Sequence, residues 1–193
     1  MALDLPDEVE AVVEAQVRGA RVLGAPLRWV VPQQWHITLA FYGDVDGRKV
    51  DDLTERVARA ARRRAPFEVS IGEPGRFGSA RRARVVWLGL DAGAEQLRSL
   101  AASARAAGRR VGLTRDDLAA DYRYRPHVTL ARVVPSTGVE HVLDAMRSAE
   151  HPRWTAREAM LVLSEPGTGQ GGRVVHTVLA RLPFGGALDS HAG

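Results

Sequence analysis

Valines at 9, 12, 13 and 17 recur at the three- and four-residue spacing of one helix face. Pro6 stands just before them, and Asp7, Glu8 and Glu10 fill the first turn, where the helix dipole favours carboxylates. This pattern predicts a helix from Pro6. Leu27 to Val31 reads as a short strand stopped by Pro32, and Trp35 to Tyr42 as a second strand closed by Gly43-Asp44. Val50, Leu53, Val57 and Ala60 return to helical spacing and run into Arg62-Arg63-Arg64. Phe67 to Ile71 and Arg84 to Leu90 read as strands, separated by a glycine- and arginine-rich loop from Gly72 to Arg82. Leu97, Leu100 and Ala104 mark one side of a long helix over 94–108, with Gly108 as its stop. Pro126 to Val134 reads as a strand and Val139 to Met146 as a helix. Trp154 to Ser164 and Arg173 to Leu182 read as late strands around the glycine-rich turn 165–172.

Strand pairs mixed with helices, without strict alternation, predict an α+β fold with largely antiparallel sheets. No low-complexity linker divides the chain, so residues 1–183 are expected to form a single two-lobed domain and 184–193 a flexible tail. One long-range echo stands out. Trp35-His36-Ile37-Thr38-Leu39-Ala40 resembles Pro126-His127-Val128-Thr129-Leu130-Ala131. One copy in each half suggests two lobes related by an approximate two-fold axis.

The echo has chemical content. Side chains alternate faces along a strand, so His36 and Thr38 share one face while Ile37 and Leu39 point the other way. The same holds for His127 and Thr129 against Val128 and Leu130. If the strands lie side by side or across a groove, two imidazoles and two hydroxyls converge. That set suits opening of a cyclic phosphodiester. Water must lose a proton as it attacks phosphorus, and the departing oxygen must gain one. On the residues alone either imidazole can serve in either role near neutral pH. The threonine hydroxyls can donate to non-bridging oxygens. Such a scheme needs no metal, and two histidines with threonines make a poor zinc set.

Composition narrows the setting. Apolar residues make up 45% and charged residues 26%, which is the balance of a soluble globular chain. No apolar run approaches the ~18 residues of a membrane helix. The first residues carry neither the basic region nor the apolar core of a signal peptide, so the cytoplasm is expected. The absence of cysteine excludes disulfides, thiolate zinc and a thiol nucleophile. The formal charge is +4, carried almost wholly by arginine, with Lys49 the only lysine. Guanidinium forks suit phosphate oxygens, and the net charge draws in anions such as RNA.

With these motifs in view, the sequence resembles the 2H phosphoesterase superfamily, and within it the LigT-like RNA 2′,3′-cyclic phosphodiesterases. The resemblance runs from Leu3 to about Val134. Besides the two histidine motifs it takes in Leu5-Pro6-Asp7-Glu8-Val9, Arg28-Trp29-Val30, Phe41-Tyr42-Gly43-Asp44-Val45, Pro66-Phe67-Glu68-Val69, Gly75-Arg76-Phe77, Val86-Trp87-Leu88-Gly89-Leu90 and Arg125 to Arg132. It implies a bilobal α+β fold of two sheets, with helices outside and a central groove. It implies metal-independent hydrolysis of a 2′,3′-cyclic phosphate, on an RNA end or a nucleotide, to a 2′-phosphomonoester without cofactor; a monomer is the default expectation. In some members it implies 2′–5′ joining of RNA ends. It implies His36 as proton donor, His127 as proton acceptor, and Thr38 and Thr129 on the phosphate. Arg132 matches a family arginine near the substrate, although simple alternation puts it on the face opposite His127; a bulge, a strand end or its long stem would bring it round. Family members open with an apolar strand bearing an aromatic residue; here only Met1-Ala2-Leu3-Asp4 precedes Leu5-Pro6, which implies a shortened strand or a start set too late.

A different class of function is a non-catalytic RNA-binding module, though binding alone does not need two titratable imidazoles. Phe41, Tyr42 and Phe77 are candidates to stack on a base, with core packing the commoner role. Tyr122 and Tyr124, with Arg123 and Arg125, lead into the second motif and suit either a groove lining or a solvated loop. Arg62 to Arg64, Arg81, Arg82 and Arg84 suit a solvated face or an RNA backbone contact. His141, His151 and His191 lack a threonine two residues away. His176 sits beside Thr177, which faces the other way, and reads as structural.

Overall fold

The structure, a computed structural model, describes residues 1–119, 122–135, 137–147, 150–165, 167 and 174–185. The predicted turn 165–172 and tail 184–193 therefore lie largely outside the described residues. Phe184 is described, and it is core: its ring stacks on Phe67 with centroids 5.5 Å apart.

The strands are β1 (Ala2–Asp4), β2 (Leu27–Trp29), β3 (His36–Thr38), β4 (Phe67–Phe77), β5 (Val85–Leu90), β6 (His127–Val133), β7 (Arg153–Ala156), β8 (Glu158–Glu165) and β9 (Val175–Pro183). The helices are α1 (Asp7–Arg21), α2 (Gly47–Arg62), α3 (Ala94–Arg110) and α4 (Glu140–Ala145). The fold is α+β, and every strand pairing is antiparallel. The strands follow the order β7-β4-β5-β6-β3-β1-β8-β9, with β2 also on β6. The two expected sheets are thus the halves of one hydrogen-bonded path. They meet at β3 and β6, where a single registered pair, Ile37 with Val128, joins them.

The helices cover one face of this path. Leu53, Val57 and Ala61 of α2 and Leu97, Leu100, Ala101 and Ala104 of α3 join Ile37, Leu88, Val128 and Leu130 in one buried cluster. Asp46 caps α2 by accepting from the Arg48 amide at 3.0 Å. The long helix does not stop at Gly108. It continues to Arg110, and Gly108 is buried inside it. A Cβ there would come within 2.9 Å of the Tyr42 ring, so this glycine serves close packing rather than termination.

Three further elements differ from the sequence reading. The strand expected over 35–42 is only β3; Leu39 and Ala40 instead donate their amides to the Met1 carbonyl. Much of the expected loop 72–82 is strand, because β4 continues to Phe77 opposite Val85. The strand expected over 154–164 is two strands that break at Arg157, β7 pairing with β4 and β8 with β1 and β9.

Candidate active site

Each His-x-Thr motif buries its middle residue: Ile37 and Val128 are fully enclosed, and the histidines and threonines turn to the face away from the helices. Antiparallel pairing of Ile37 with Val128 sets His36 opposite Thr129 and Thr38 opposite His127. Directly opposed residues on one face stand about 4.5–5.5 Å apart at Cβ. The local two-fold axis of this antiparallel pair passes between Ile37 and Val128, and the four polar side chains surround it.

Both imidazoles are oriented alike. His36 Nδ1 lies 2.8 Å from the Gln34 carbonyl, and His127 Nδ1 lies 2.7 Å from the Arg125 carbonyl. A carbonyl only accepts, so each Nδ1 carries the hydrogen and each Nε2 is left for chemistry. The short turn of 3₁₀ helix Pro32–Gln34 presents the first of these carbonyls. In neutral His36, Nε2 has a lone pair, and the Thr38 hydroxyl donates to it at 3.0 Å.

Burial governs the charge of these rings. Burial first, and then the nearby His176, the N-terminal amine and His127, bring the His36 pKa down from 6.5 to about 4. The carbonyl bond to Nδ1 opposes this without overcoming it. His127 is also lowered, first by burial and then by Arg125. Burial in the groove therefore disfavours positive charge, and an anion bound there would favour it.

The neighbouring strands extend the face. Trp87 pairs with Thr129 and Gly89 with His127. Phe77 meets His127 edge to face at 4.8 Å and Trp87 at 5.4 Å, and the Arg125 guanidinium lies 4.3 Å over the Trp87 ring. Gly75 pairs with Trp87, and a Cβ on it would lie 2.2 Å from the indole. Asp4 stands opposite His36, and Ala2 opposite Thr38. The first strand is present over Ala2–Asp4, and it brings the Asp4 carboxylate to this face. Burial raises the Asp4 pKa above the usual carboxylate value.

Arg132 reaches the same face, and a bulge is the reason. Val86 pairs with Ala131 but Trp87 pairs with Thr129, so β6 uses two residues where β5 uses one. Leu130 and Ala131 are consecutively buried, the alternation slips by one, and Arg132 emerges beside Thr129. Arg28 of β2 stands directly across from it, also exposed.

The structure thus brings all five expected residues to one face, and it adds one that the sequence reading set aside. His176 on β9 packs edge to face on His36, with centroids 5.4 Å apart. Gln34 Nε2 ties the backbone just before it by donating to the Val174 carbonyl at 2.6 Å. Tyr124 also reaches the site, donating its hydroxyl to the Thr38 carbonyl at 2.8 Å. Tyr42 does not; its hydroxyl goes to the Ala104 carbonyl in the core. Phe41 is exposed, with the Arg115 guanidinium 4.9 Å over its ring. Among the described residues no group of three His, Cys, Asp or Glu side chains is placed to hold a metal ion.

The family model of the 2′-5′ RNA ligase superfamily matches residues 6–168. The chain belongs to this superfamily. Among its curated relatives are RNA 2′,3′-cyclic phosphodiesterases. That of Geobacillus stearothermophilus is 32% identical over 133 residues, covering 68% of this chain and 40% of the relative. That of Aquifex aeolicus is 28% identical over 106 residues, covering 55% of each. The matched stretch thus spans about half the length of these relatives. The fold matches over nearly the whole chain. A crystal structure from Thermus thermophilus has a TM-score of 0.72 and 28% identity, with 96% of each chain covered. Escherichia coli LigT complexed with 3′-AMP has a TM-score of 0.69 and 25% identity, covering 95% of this superfamily member and 94% of LigT. Among the described residues no helix is long and apolar enough to cross a membrane.

Proposed function

We propose that this chain hydrolyses 2′,3′-cyclic phosphates, on RNA ends or nucleosides, to 2′-phosphomonoesters without a metal ion, acting as a monomer. The observation that carries this is the register at the centre of the sheet, with each histidine opposite the other motif's threonine on one open face. Thr38 and Thr129 donate to the non-bridging oxygens, and the Arg132 guanidinium adds charge beside them. Water attacks phosphorus as its proton passes to His127. The bond from phosphorus to the ribose 3′ oxygen breaks, and His36 protonates that oxygen. The product keeps its phosphate on the 2′ oxygen, and a proton exchange with solvent restores both rings.

The lowered pKa of His36 adds a condition. At pH 7 a group with a pKa of about 4 is protonated in only about one molecule in a thousand. The cyclic phosphate carries a negative charge into the groove and raises that fraction, so substrate binding and proton uptake are linked. The names of the curated relatives and the 3′-AMP complex of Escherichia coli LigT support the choice of a nucleotide phosphoester. The family description also favours a second reading, joining of RNA ends through a 2′–5′ bond, in which an RNA 5′-hydroxyl takes the place of water as the attacking group in the same groove and the same bond to the 3′ oxygen breaks.

The test is to incubate the purified protein in excess EDTA with an RNA oligonucleotide ending in a 2′,3′-cyclic phosphate, with and without a 5′-hydroxyl RNA. Conversion to a 2′-phosphate end supports hydrolysis, and a longer, 2′–5′ linked product supports joining. An unchanged end in both mixtures would refute the proposal.

A further inference from the structure

On the outer surface of the helix layer, α2 and α3 border a cleft of about 250 Å³ lined by Arg56, Arg59, Arg63, Arg64, Arg110 and Ser103 among others. Its charge is unbalanced. Arg56 pairs with Asp52 and Arg59 with Glu55 along α2. Arg63 and Arg110 are exposed and have no carboxylate partner among the described residues. Arg64 is fixed by the Ser99 hydroxyl at 2.8 Å and the Ser103 hydroxyl at 2.9 Å, and its Nε is buried without an acceptor. Three guanidiniums held together without counter-charge repel one another, and an anion between them would relieve that repulsion.

The shape of the cluster indicates which anion. Arg56 and Arg59 on α2 and Arg63 at its C-cap follow helical spacing and extend over roughly 10 Å, at ~1.5 Å per residue. The remaining lining is Ala60, Ala106 and Ala107, so no aromatic is present to stack a base. A row of planar forks over a floor of methyl groups suits repeated phosphates and carries no base readout. We propose that this cleft binds the phosphodiester backbone of RNA. It lies behind the helices, on the far side of the protein from the histidines, roughly 20 Å away by the thickness of a helix and a sheet layer. It would therefore hold the body of a folded RNA whose cyclic-phosphate end reaches the groove. The choice of RNA rests on the function proposed above; the anion site itself does not.

The test uses a fluorescent 20-nucleotide RNA with an ordinary 3′-hydroxyl, which the enzyme cannot turn over. Its affinity for wild type and for the Arg63→Gln/Arg110→Gln double variant is measured by anisotropy across a salt series. Each phosphate of a single strand that is no longer neutralised takes about 0.7 from the slope of log affinity against log salt, so the slope should flatten by about 1.4 in the double variant. Over a fourfold rise in salt its affinity should then fall about sevenfold less than that of wild type. Equal affinities and slopes would overturn the proposal. So would micromolar binding of inorganic tripolyphosphate that the double substitution abolishes while RNA affinity stays unchanged, since the cleft would then take a small anion. Hydrolysis of a nucleoside 2′,3′-cyclic phosphate, followed in parallel, should be equal in the two proteins. If wild type fails to hydrolyse it, the proposed reaction is refuted, and the RNA affinities still decide the cleft.

Discussion

Replacing His36 by glutamine should make the fold less sensitive to acid. His36 keeps a pKa of about 4 in the folded state against 6.5 for an unperturbed ring, because burial disfavours its charged form. Between those values the unfolded chain binds a proton that the folded chain refuses. Stability therefore rises with pH across this window, and it is lost as pH falls from above 6.5 towards 4. At ~1.36 kcal/mol per pKa unit the full effect is about 3 kcal/mol, and about 2.5 kcal/mol of it is lost by about pH 4.5. Glutamine does not titrate, so this component vanishes while His127, Asp4 and the surface carboxylates still contribute in both proteins. Urea unfolding at about pH 7.5 and about pH 4.5 measures the difference, and wild type should lose roughly 2–3 kcal/mol more than the variant. Equal losses would show that His36 titrates normally, and that the groove is neither enclosed nor averse to charge.

The same face yields other expectations. Gly75→Ala puts a methyl where the Trp87 indole lies 2.2 Å away, so it should cost about 1–3 kcal/mol in urea unfolding and perturb His127 through Phe77 and Trp87; unchanged stability and turnover would refute this packing. Arg132→Gln should raise KM for an RNA cyclic phosphate about tenfold with little change in kcat, whereas an unchanged KM would place the guanidinium outside the groove. His176→Ala admits water beside His36 and removes a neighbouring positive charge, so the His36 pKa, read by NMR, should rise; no movement would show that the ring contact at 5.4 Å has no electrostatic effect.

Much of this site was legible because the His-x-Thr motif needs only period-two alternation, and β3 and β6 obey it through residue 130. Arg132 shows where alternation fails. Its face is set by a bulge against β5, and register between distant strands is not written in one strand's own pattern. His176 reads locally as structural, because Thr177 beside it faces the other way. What brought it to His36 is the pairing of β9 to β8 and β8 to β1, a long-range arrangement. The break at Arg157, by contrast, was readable. Buried positions run Trp154 and Ala156, then Ala159 and Leu161, a change of phase that one continuous strand does not make. Gly108 looked like a helix stop because the ring of Tyr42, far away in sequence, supplies the reason for a glycine there.

The most direct test of the central claim is turnover of a nucleoside 2′,3′-cyclic phosphate, in EDTA, by wild type and by the single variants His36→Ala and His127→Ala. Each positioned proton donor or acceptor is typically worth about 10²–10⁴ in rate. Wild type should release the 2′-phosphate, and each variant should fall by at least the lower figure while still binding the nucleotide. A variant that keeps wild-type turnover would contradict the claim, because the two rings would then not act as a pair on one phosphate.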